Sequence, residues 1–218
     1  LWFAHTLDGT AVAVWGAALL AIFWALGAVL QSRLGLLAAL MLASAALATA
    51  SAALGLLQMH YLFKPLTLAV ALLLVLRRAD AGTRQWLLVA ALLASLAGDV
   101  FLMLPGDRFV PGLAAFLLAH LGYIALFRQQ QAWFPNRPAL VLALAVAGAM
   151  LALLWDALPG AGMQAAAGAY ALAISLMAAQ AIGRATVLQD RAATWVAVGA
   201  CVFMLSDTLI AINRFLVP

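Results

Sequence analysis

Apolar residues fill most of the chain in long runs, which are separated by short polar or Pro/Gly-containing breaks. The runs are about 20 residues long, the length that an α-helix needs to cross the hydrocarbon core of a bilayer. Eight such runs can be delimited, at residues 11–30, 34–57, 61–76, 86–104, 110–127, 139–158, 163–183 and 193–214. The pattern therefore predicts an all-α, polytopic transmembrane helix bundle of about eight spans, forming a single integral membrane domain over residues 1–218.

Composition agrees with this prediction, since 68% of the residues are hydrophobic and only 8% are charged. In soluble proteins the charged residues alone approach roughly a quarter of the chain. Inside a bilayer every backbone N–H and C=O needs an internal partner, so the choice is between helices and a closed barrel. Barrel strands need only about 10 residues of alternating polarity, so the long uninterrupted runs favour helices.

Two features concern the ends of the runs. The first run, residues 11–30, has no basic segment before it and no small-residue cleavage pattern after it, so we expect a span rather than a signal peptide. The third run starts at His60-Tyr61-Leu62-Phe63-Lys64-Pro65, and Pro65 is expected in the first turn of its helix, where proline is favoured. The loops are too short for a separate soluble domain.

The basic residues indicate the orientation of the spans, because short cytoplasmic loops carry an excess of Lys and Arg. Lys64, Arg108 and Arg214 lie on one side of the predicted bundle. The other side carries the remaining eight cations, namely Arg33, Arg77, Arg78, Arg84, Arg128, Arg137, Arg184 and Arg191. We therefore expect an integral protein of a bacterial inner membrane with both termini on the non-cytoplasmic side.

Several functional classes find no support in the sequence. The net charge is +4, but the basic residues occur singly or in pairs at the ends of runs, so a nucleic-acid partner is not expected. The three histidines are far apart, Cys201 is the single cysteine and no H-E-x-x-H or C-x-x-C motif occurs, so we expect no metal and no cofactor. No G-x-S-x-G motif indicates a serine hydrolase. The oligomeric state is not predicted.

Two aspartates lie where charges are rare. All seven acidic residues are aspartates, and five of them fall in loops or near the termini. Asp99 and Asp207 instead lie within the fourth and eighth runs, and both are expected toward the non-cytoplasmic side. An intramembrane carboxyl group usually faces the bundle interior or a cavity. The alternative for each is a structural ion pair with Lys64, Arg108 or Arg214.

Six other polar residues occur near the same side of the bundle. His120 and Tyr123 share a helix face because they are three residues apart. Arg214 follows Asp207 by seven residues, about 10 Å along a helix axis. The candidate site residues besides the two aspartates are Lys64, His120, Tyr123, Tyr170, Asn213 and Arg214. His120, Tyr170 and Asn213 could instead be hydrogen-bonding residues of helix packing.

Two carboxyl groups with polar helpers suit general acid/base chemistry, in which one group donates a proton while the other activates water. A proton-coupled transporter of small molecules or lipids is the alternative, because intramembrane Asp, Lys and His residues also mark transport pathways. A non-catalytic scaffold is a third interpretation. A lipid-sized cavity that reaches both acids would favour the enzyme.

Several segments carry a family resemblance. They are Lys64-Pro65-Leu66-Thr67, residues 98–104, residues 109–113, residues 115–123, Tyr170, residues 199–203, residues 206–209 and Asn213-Arg214-Phe215. In these segments the sequence resembles the YhhN-like lysoplasmalogenase family of multi-spanning membrane proteins.

The resemblance implies hydrolysis of the vinyl ether bond of lysoplasmalogens, with release of a fatty aldehyde and a glycerophospho-headgroup. It also implies that Asp99 and Asp207 are the catalytic pair. The expected partners are then a lysophospholipid substrate and the surrounding membrane lipids. Lys64 or Arg214 would suit the lipid phosphate, because cationic side chains form charge-assisted hydrogen bonds with phosphate oxygens.

The expected topology can be tested by labelling engineered cysteines in a Cys201→Ala background. Gly82→Cys lies in a predicted cytoplasmic loop, whereas Ala157→Cys lies in a loop on the opposite side. A membrane-impermeant maleimide applied to intact spheroplasts should label only the cysteine at position 157. Labelling at position 82 without lysis would reverse the orientation.

Overall fold

The computed structural model describes residues 33–77 and 82–216, whose regular structure is entirely helical. A 3₁₀ turn, Trp155–Ala157, continues the fifth helix of the described part. The helices are α1 (Arg33–Ala53), α2 (Leu57–Leu76), α3 (Thr83–Met103), α4 (Phe109–Arg128), α5 (Arg137–Leu154), α6 (Gly160–Leu188) and α7 (Arg191–Phe215).

All seven helices of the described residues are long and apolar enough to cross a membrane. They correspond to the second through eighth predicted runs. The first predicted run, residues 11–30, lies outside the described residues. The prediction of an all-α, polytopic membrane protein is therefore confirmed.

The predicted position of Pro65 is wrong. Helix α2 begins at Leu57, so Pro65 lies inside the helix rather than in its first turn. Residues 57–64 extend the helix upstream of Pro65, because most of them are apolar or, like Gln58 and Lys64, good helix formers. Proline lacks a backbone N–H, but membrane helices tolerate it because neighbouring groups can satisfy the freed carbonyl.

The chain divides after Asp80 into two compact units. In the first unit, α1 packs against α2. Polar contacts join the two helices, since Thr67 Oγ1 donates to Ser44 Oγ over 3.2 Å and His60 Nδ1 lies 3.0 Å from the Ala48 carbonyl oxygen. Ser44 pairs with Thr67 and the later residue Ala48 pairs with the earlier residue His60, so α1 and α2 run antiparallel. That residues 1–218 form one domain stays a prediction.

The second unit contains α3 to α7, with α6 at its centre. Helix α6 packs against α4, α5 and α7, and α3 packs against α4. Alanines form half of the buried core cluster, which consists of Ile124, Phe127, Ile174, Met177, Ala178, Ala181, Ala197 and Ala200. Small side chains let membrane helices approach closely, which is the main source of packing energy where lipid is as apolar as the protein.

A buried glutamine fixes the connection between α4 and α5. Gln180 of α6 donates from Nε2 to the Ala132 carbonyl over 3.0 Å and accepts from the Phe134 N–H over 2.8 Å. One turn further along α6, Gly183 faces this connection, where a Cβ atom would come within 2.7 Å of Pro135 Cδ. The absence of a side chain at position 183 therefore allows the loop to lie against α6.

This contact predicts opposite effects for two glycine substitutions. Gly183→Ala should lower the free energy of unfolding by about 1–3 kcal/mol, because the added methyl group overpacks the contact with Pro135. Gly199→Ala has no atom within 4 Å of the added Cβ and should be neutral or slightly stabilising. Thermal melting in detergent micelles measures both, and equal melting temperatures for the two variants would contradict the proposed packing.

Candidate functional site

A largely apolar pocket opens between the helices of the second unit. It encloses about 880 Å³ of space, counting the part that is open to the outside, and residues from all five helices of the unit line it. Its polar lining side chains are Tyr170, Asp207 and Thr208. The Thr208 hydroxyl donates to the Met204 carbonyl of its own helix, which leaves Tyr170 and Asp207 as the polar pair of the pocket.

Asp207 is held by two side chains from neighbouring helices. The Tyr170 hydroxyl of α6 donates a hydrogen bond to Asp207 Oδ2. His120 Nε2 of α4 lies 3.8 Å from the same oxygen, a distance for electrostatic attraction rather than a direct hydrogen bond. The Asp207 side chain remains 12% exposed, so it reaches the pocket from a mostly enclosed position.

His120 is fully buried behind this pair. Its ring packs edge-on against Tyr170 and Phe203, with centroid distances of 5.1 and 5.2 Å. Within residues 33–77 and 82–216, neither ring nitrogen has a hydrogen-bond partner. Buried polar atoms without partners are rare in proteins, and they occur more often where a function requires them.

Asp99 is also buried and lies on the neighbouring helix α3. It does not line the pocket, but it is close enough for its charge to act on Tyr170, as the charge of Asp207 does. A Cβ atom on Gly98 would approach Phe116 Cδ2 to 2.6 Å, so the bare backbone beside Asp99 makes room for that ring. The structure thus brings Asp99, His120, Tyr170 and Asp207 into one neighbourhood.

Arg214 and Asn213 lie at the exposed end of α7. Arg214 Nη2 donates to Asp107 Oδ2 over 2.7 Å, and both side chains are largely exposed. The Arg214 guanidinium lies 5.6 Å from the ring of Phe109, which lines the pocket. Arg214, a possible ion-pair partner of Asp207 on the sequence alone, therefore pairs with Asp107 instead and lies beside the lining residue Phe109.

Tyr123 and Lys64 are the two remaining candidate residues. Tyr123 shares α4 with His120 but lines a second cavity, where its hydroxyl is 3.4 Å from Ser95 Oγ and its ring stacks on Phe127. Lys64 belongs to α2 of the first unit. A substrate-binding role for either residue stays a prediction.

The sequence did not single out Phe116 and Phe203 as parts of the site. Their rings pack at 5.9 Å beside His120. Phe116 lies four residues before His120, and Phe203 lies four residues before Asp207. This spacing places each pair on one helix face and could have identified the two rings from the sequence. Asp107, expected to be a solvated loop charge, also accepts from the Phe109 N–H over 3.2 Å.

The site contains no metal-ligand set. In the described part of the chain, no three His, Cys, Asp or Glu residues lie together in a way that could hold a metal ion. What the site offers is a carboxyl group with a hydrogen-bonding phenol, a nearby imidazole and a second carboxyl group. Such a set can donate and accept protons and can orient water.

Comparison with known proteins gives several relatives. A lysoplasmalogenase from Mycobacterium bovis is 39% identical over 139 residues, which cover 61% of this chain and 51% of the relative. The lysoplasmalogenase TMEM86B from Homo sapiens is 35% identical over 141 residues, covering 64% and 56%. An uncharacterized membrane protein YhhN from Escherichia coli O157:H7 is 34% identical over 99 residues, covering 45% and 48%.

The chain spans about half the length of these curated relatives. No solved structure matches it. The profile of the YhhN family, however, matches residues 59–218, a range that includes all the residues of the site described above. On this match the chain belongs to the YhhN family of membrane proteins.

Proposed function

We propose that this protein is a lysoplasmalogenase, which hydrolyses the vinyl ether bond of a lysoplasmalogen to a fatty aldehyde and a glycerophospho-headgroup. The observation that carries the proposal is a largely apolar pocket between the helices whose polar pair is Asp207 and Tyr170. Relatives that bear the name lysoplasmalogenase and are 35–39% identical to the chain support the same activity.

The pocket suits a single-chain lipid. Leu, Met, Phe and Ala side chains form most of its surface and would accept the alkenyl chain. Because the bilayer interior is as apolar as these walls, the chain can pass from the membrane into the pocket without a loss of hydrophobic free energy.

The headgroup would lie at the mouth, near Arg214. This arginine lies two helical turns beyond Asp207, about 10 Å along the axis of α7. In a lysoplasmalogen the three-carbon glycerol separates the phosphate from the vinyl ether. A phosphate bound to Arg214 would therefore leave the reactive double bond close to Asp207. Binding would require Arg214 to exchange its exposed pairing with Asp107, which is a weak interaction.

The chemistry begins with protonation of the outer vinyl carbon, which converts the double bond into an oxocarbenium ion. Asp207 is the proposed proton donor because it is the carboxyl group that reaches the pocket. Water then adds to the cationic carbon and loses a proton to a carboxylate, which forms a hemiacetal. Collapse of the hemiacetal breaks the carbon–oxygen bond to glycerol and yields the aldehyde and the alcohol. The sum is addition of one water molecule.

The neighbouring groups have distinct proposed roles. Tyr170 and His120 both approach Oδ2 of Asp207, so Oδ1 is the oxygen proposed to act on the substrate. His120 is a positioning residue, because it is fully buried behind the pair. Asp99 supplies a second negative charge near the site, which stabilises the cationic intermediate, since preorganised charges act strongly where water is excluded.

Replacing the carboxyl groups should abolish turnover. Asp207→Asn retains the size of the side chain but cannot donate an acidic proton, so kcat for aldehyde release should fall by about 10²–10⁴-fold. Asp99→Asn should lower kcat by a factor near the lower end of that range. Asp156→Asn, at an exposed residue of the 3₁₀ turn, is the matched control and should keep full activity. Aldehyde release from purified protein in lipid nanodiscs is the assay.

Thermal melting of each variant separates catalysis from folding. Normal aldehyde release by a folded Asp99→Asn, Asp207→Asn double variant would eliminate aspartate catalysis. If the parent protein itself releases no aldehyde but moves a lipid or small molecule across a vesicle membrane after reconstitution, the transporter alternative would replace the hydrolase.

The proposed position of the alkenyl chain predicts an effect of pocket volume. Ala147 is a buried residue of the pocket lining, whereas Ala145 lies exposed on the same helix. Ala147→Leu should raise KM for long-chain lysoplasmalogens by about 10-fold or more while affecting short-chain substrates less, because the added isobutyl group occupies space needed by distal methylenes. Ala145→Leu should leave KM for both substrates unchanged. Identical chain-length profiles for the two variants would place the chain elsewhere.

A further inference from the structure

A second cavity lies in the same unit, toward the other end of the bundle. It encloses about 940 Å³, again counting the open part, and residues of α3, α4, α6 and α7 line it. On α4, α6 and α7 its lining residues and those of the first pocket occupy separate stretches of each helix. On α7, for example, residues 196–203 line the second cavity and residues 204–215 line the first.

An aromatic layer separates the two spaces. Phe203 lines the second cavity and packs edge-on against Phe116, which lines the first, at 5.9 Å. His120 packs between Phe203 and Tyr170 in the same layer. A molecule in the second cavity would therefore not touch Asp207. Any ligand of this cavity would differ from the substrate proposed above.

Two arginines give the second cavity its charge. Arg84 from the start of α3 and Arg184 from the last turns of α6 both line it. Their guanidinium groups are close enough to repel each other, and Asp190 is the carboxylate that acts on Arg184. Asp190 also accepts a hydrogen bond of 2.6 Å from the Ala193 N–H at the start of α7. Among the described residues, the cavity thus presents two cations to one carboxylate that is already engaged.

The remainder of the lining suits a hydrocarbon chain. Most other residues around the cavity are apolar, and they include Leu88, Leu126, Met177 and Val196. Helix α6 has 29 residues and is roughly 43 Å long, which exceeds the hydrocarbon core of about 30 Å. Arg184 lies near its end, so its guanidinium falls at the depth of lipid headgroups.

We propose that this cavity is a second lipid site, which binds the phosphate group of an anionic membrane phospholipid between Arg84 and Arg184. Planar guanidinium groups bind phosphate oxygens in pairs, and the negative charge removes the repulsion between the two arginines. The apolar walls hold part of an acyl chain. Basic pockets between transmembrane helices on the cytoplasmic side take lipid headgroups, and this end of the bundle is the one predicted to be cytoplasmic. The proposal does not depend on the hydrolase activity.

Lipid binding can be measured as a shift of the melting temperature of the delipidated protein in neutral detergent. Dioctanoyl phosphatidylglycerol should raise the melting temperature of the parent protein. An Arg84→Gln, Arg184→Gln double variant should bind this lipid about tenfold more weakly, because both charge-assisted contacts are lost. Arg191→Gln is the matched control, since this exposed arginine lies at the same end of the bundle but outside the cavity.

Two further ligands distinguish binding of the phosphate group from binding of the acyl chains. Dioctanoylglycerol, which has the chains without the phosphate, and inorganic phosphate, which lacks the chains, should each stabilise the parent much less. Equal stabilisation by inorganic phosphate would identify a site for free phosphate, and equal stabilisation by dioctanoylglycerol would identify a purely apolar site; either result overturns the proposal. Equal lipid shifts in the parent, the double variant and Arg191→Gln would also overturn it. If the double variant does not fold, the exposed Arg84→Gln alone must reduce the shift.

Discussion

A carboxyl group enclosed by apolar helices requires polar partners, and the arrangement of the second unit depends on how Asp207 meets that requirement. Tyr170 binds it from α6 and His120 approaches it from α4, so the contacts of one side chain join three helices. An unsatisfied polar group at this depth would cost several kcal/mol. The same contacts leave the side chain partly exposed to an apolar pocket. The Asp207 carboxyl group therefore both connects the helices and is the proposed proton donor.

Small residues make this arrangement sterically possible. Association of helices in lipid depends on close van der Waals packing rather than on the hydrophobic effect. The core around α6 consists largely of alanine, and Gly98 lets the Phe116 ring lie against α3 beside Asp99. The large side chains are concentrated around His120, where Phe116, Tyr170 and Phe203 form an aromatic layer. Close packing at the helix contacts thus leaves space on each side of this layer.

The layer divides the interior into two chemically different halves. One half holds Asp207 and Tyr170 in apolar surroundings and ends near the exposed Arg214–Asp107 pair. The other half carries Arg84 and Arg184. The first half suits a lipid whose neutral vinyl ether bond must be protonated and whose phosphate group is held at the mouth of the pocket. The second suits a resident anion, so one family fold can combine a proposed reaction site with a proposed site for membrane lipid.

The sequence alone determined the fold class and singled out Asp99 and Asp207, because long apolar runs specify membrane helices and a carboxyl group within such a run is conspicuous. Helix ends were less well determined: α2 begins at Leu57 and contains Pro65, since packing in a membrane protein can override the local preference of proline. Only the tertiary structure decided which polar residues share a site. Helical periodicity relates His120 to Tyr123, yet the two residues lie at different depths along α4, so Tyr123 lines the second cavity whereas His120 lies beside Asp207. The pairing of Arg214 with Asp107 and the approach of Arg84 to Arg184 join residues about a hundred positions apart, and a contact of that kind depends on how helices pack, which no local pattern encodes.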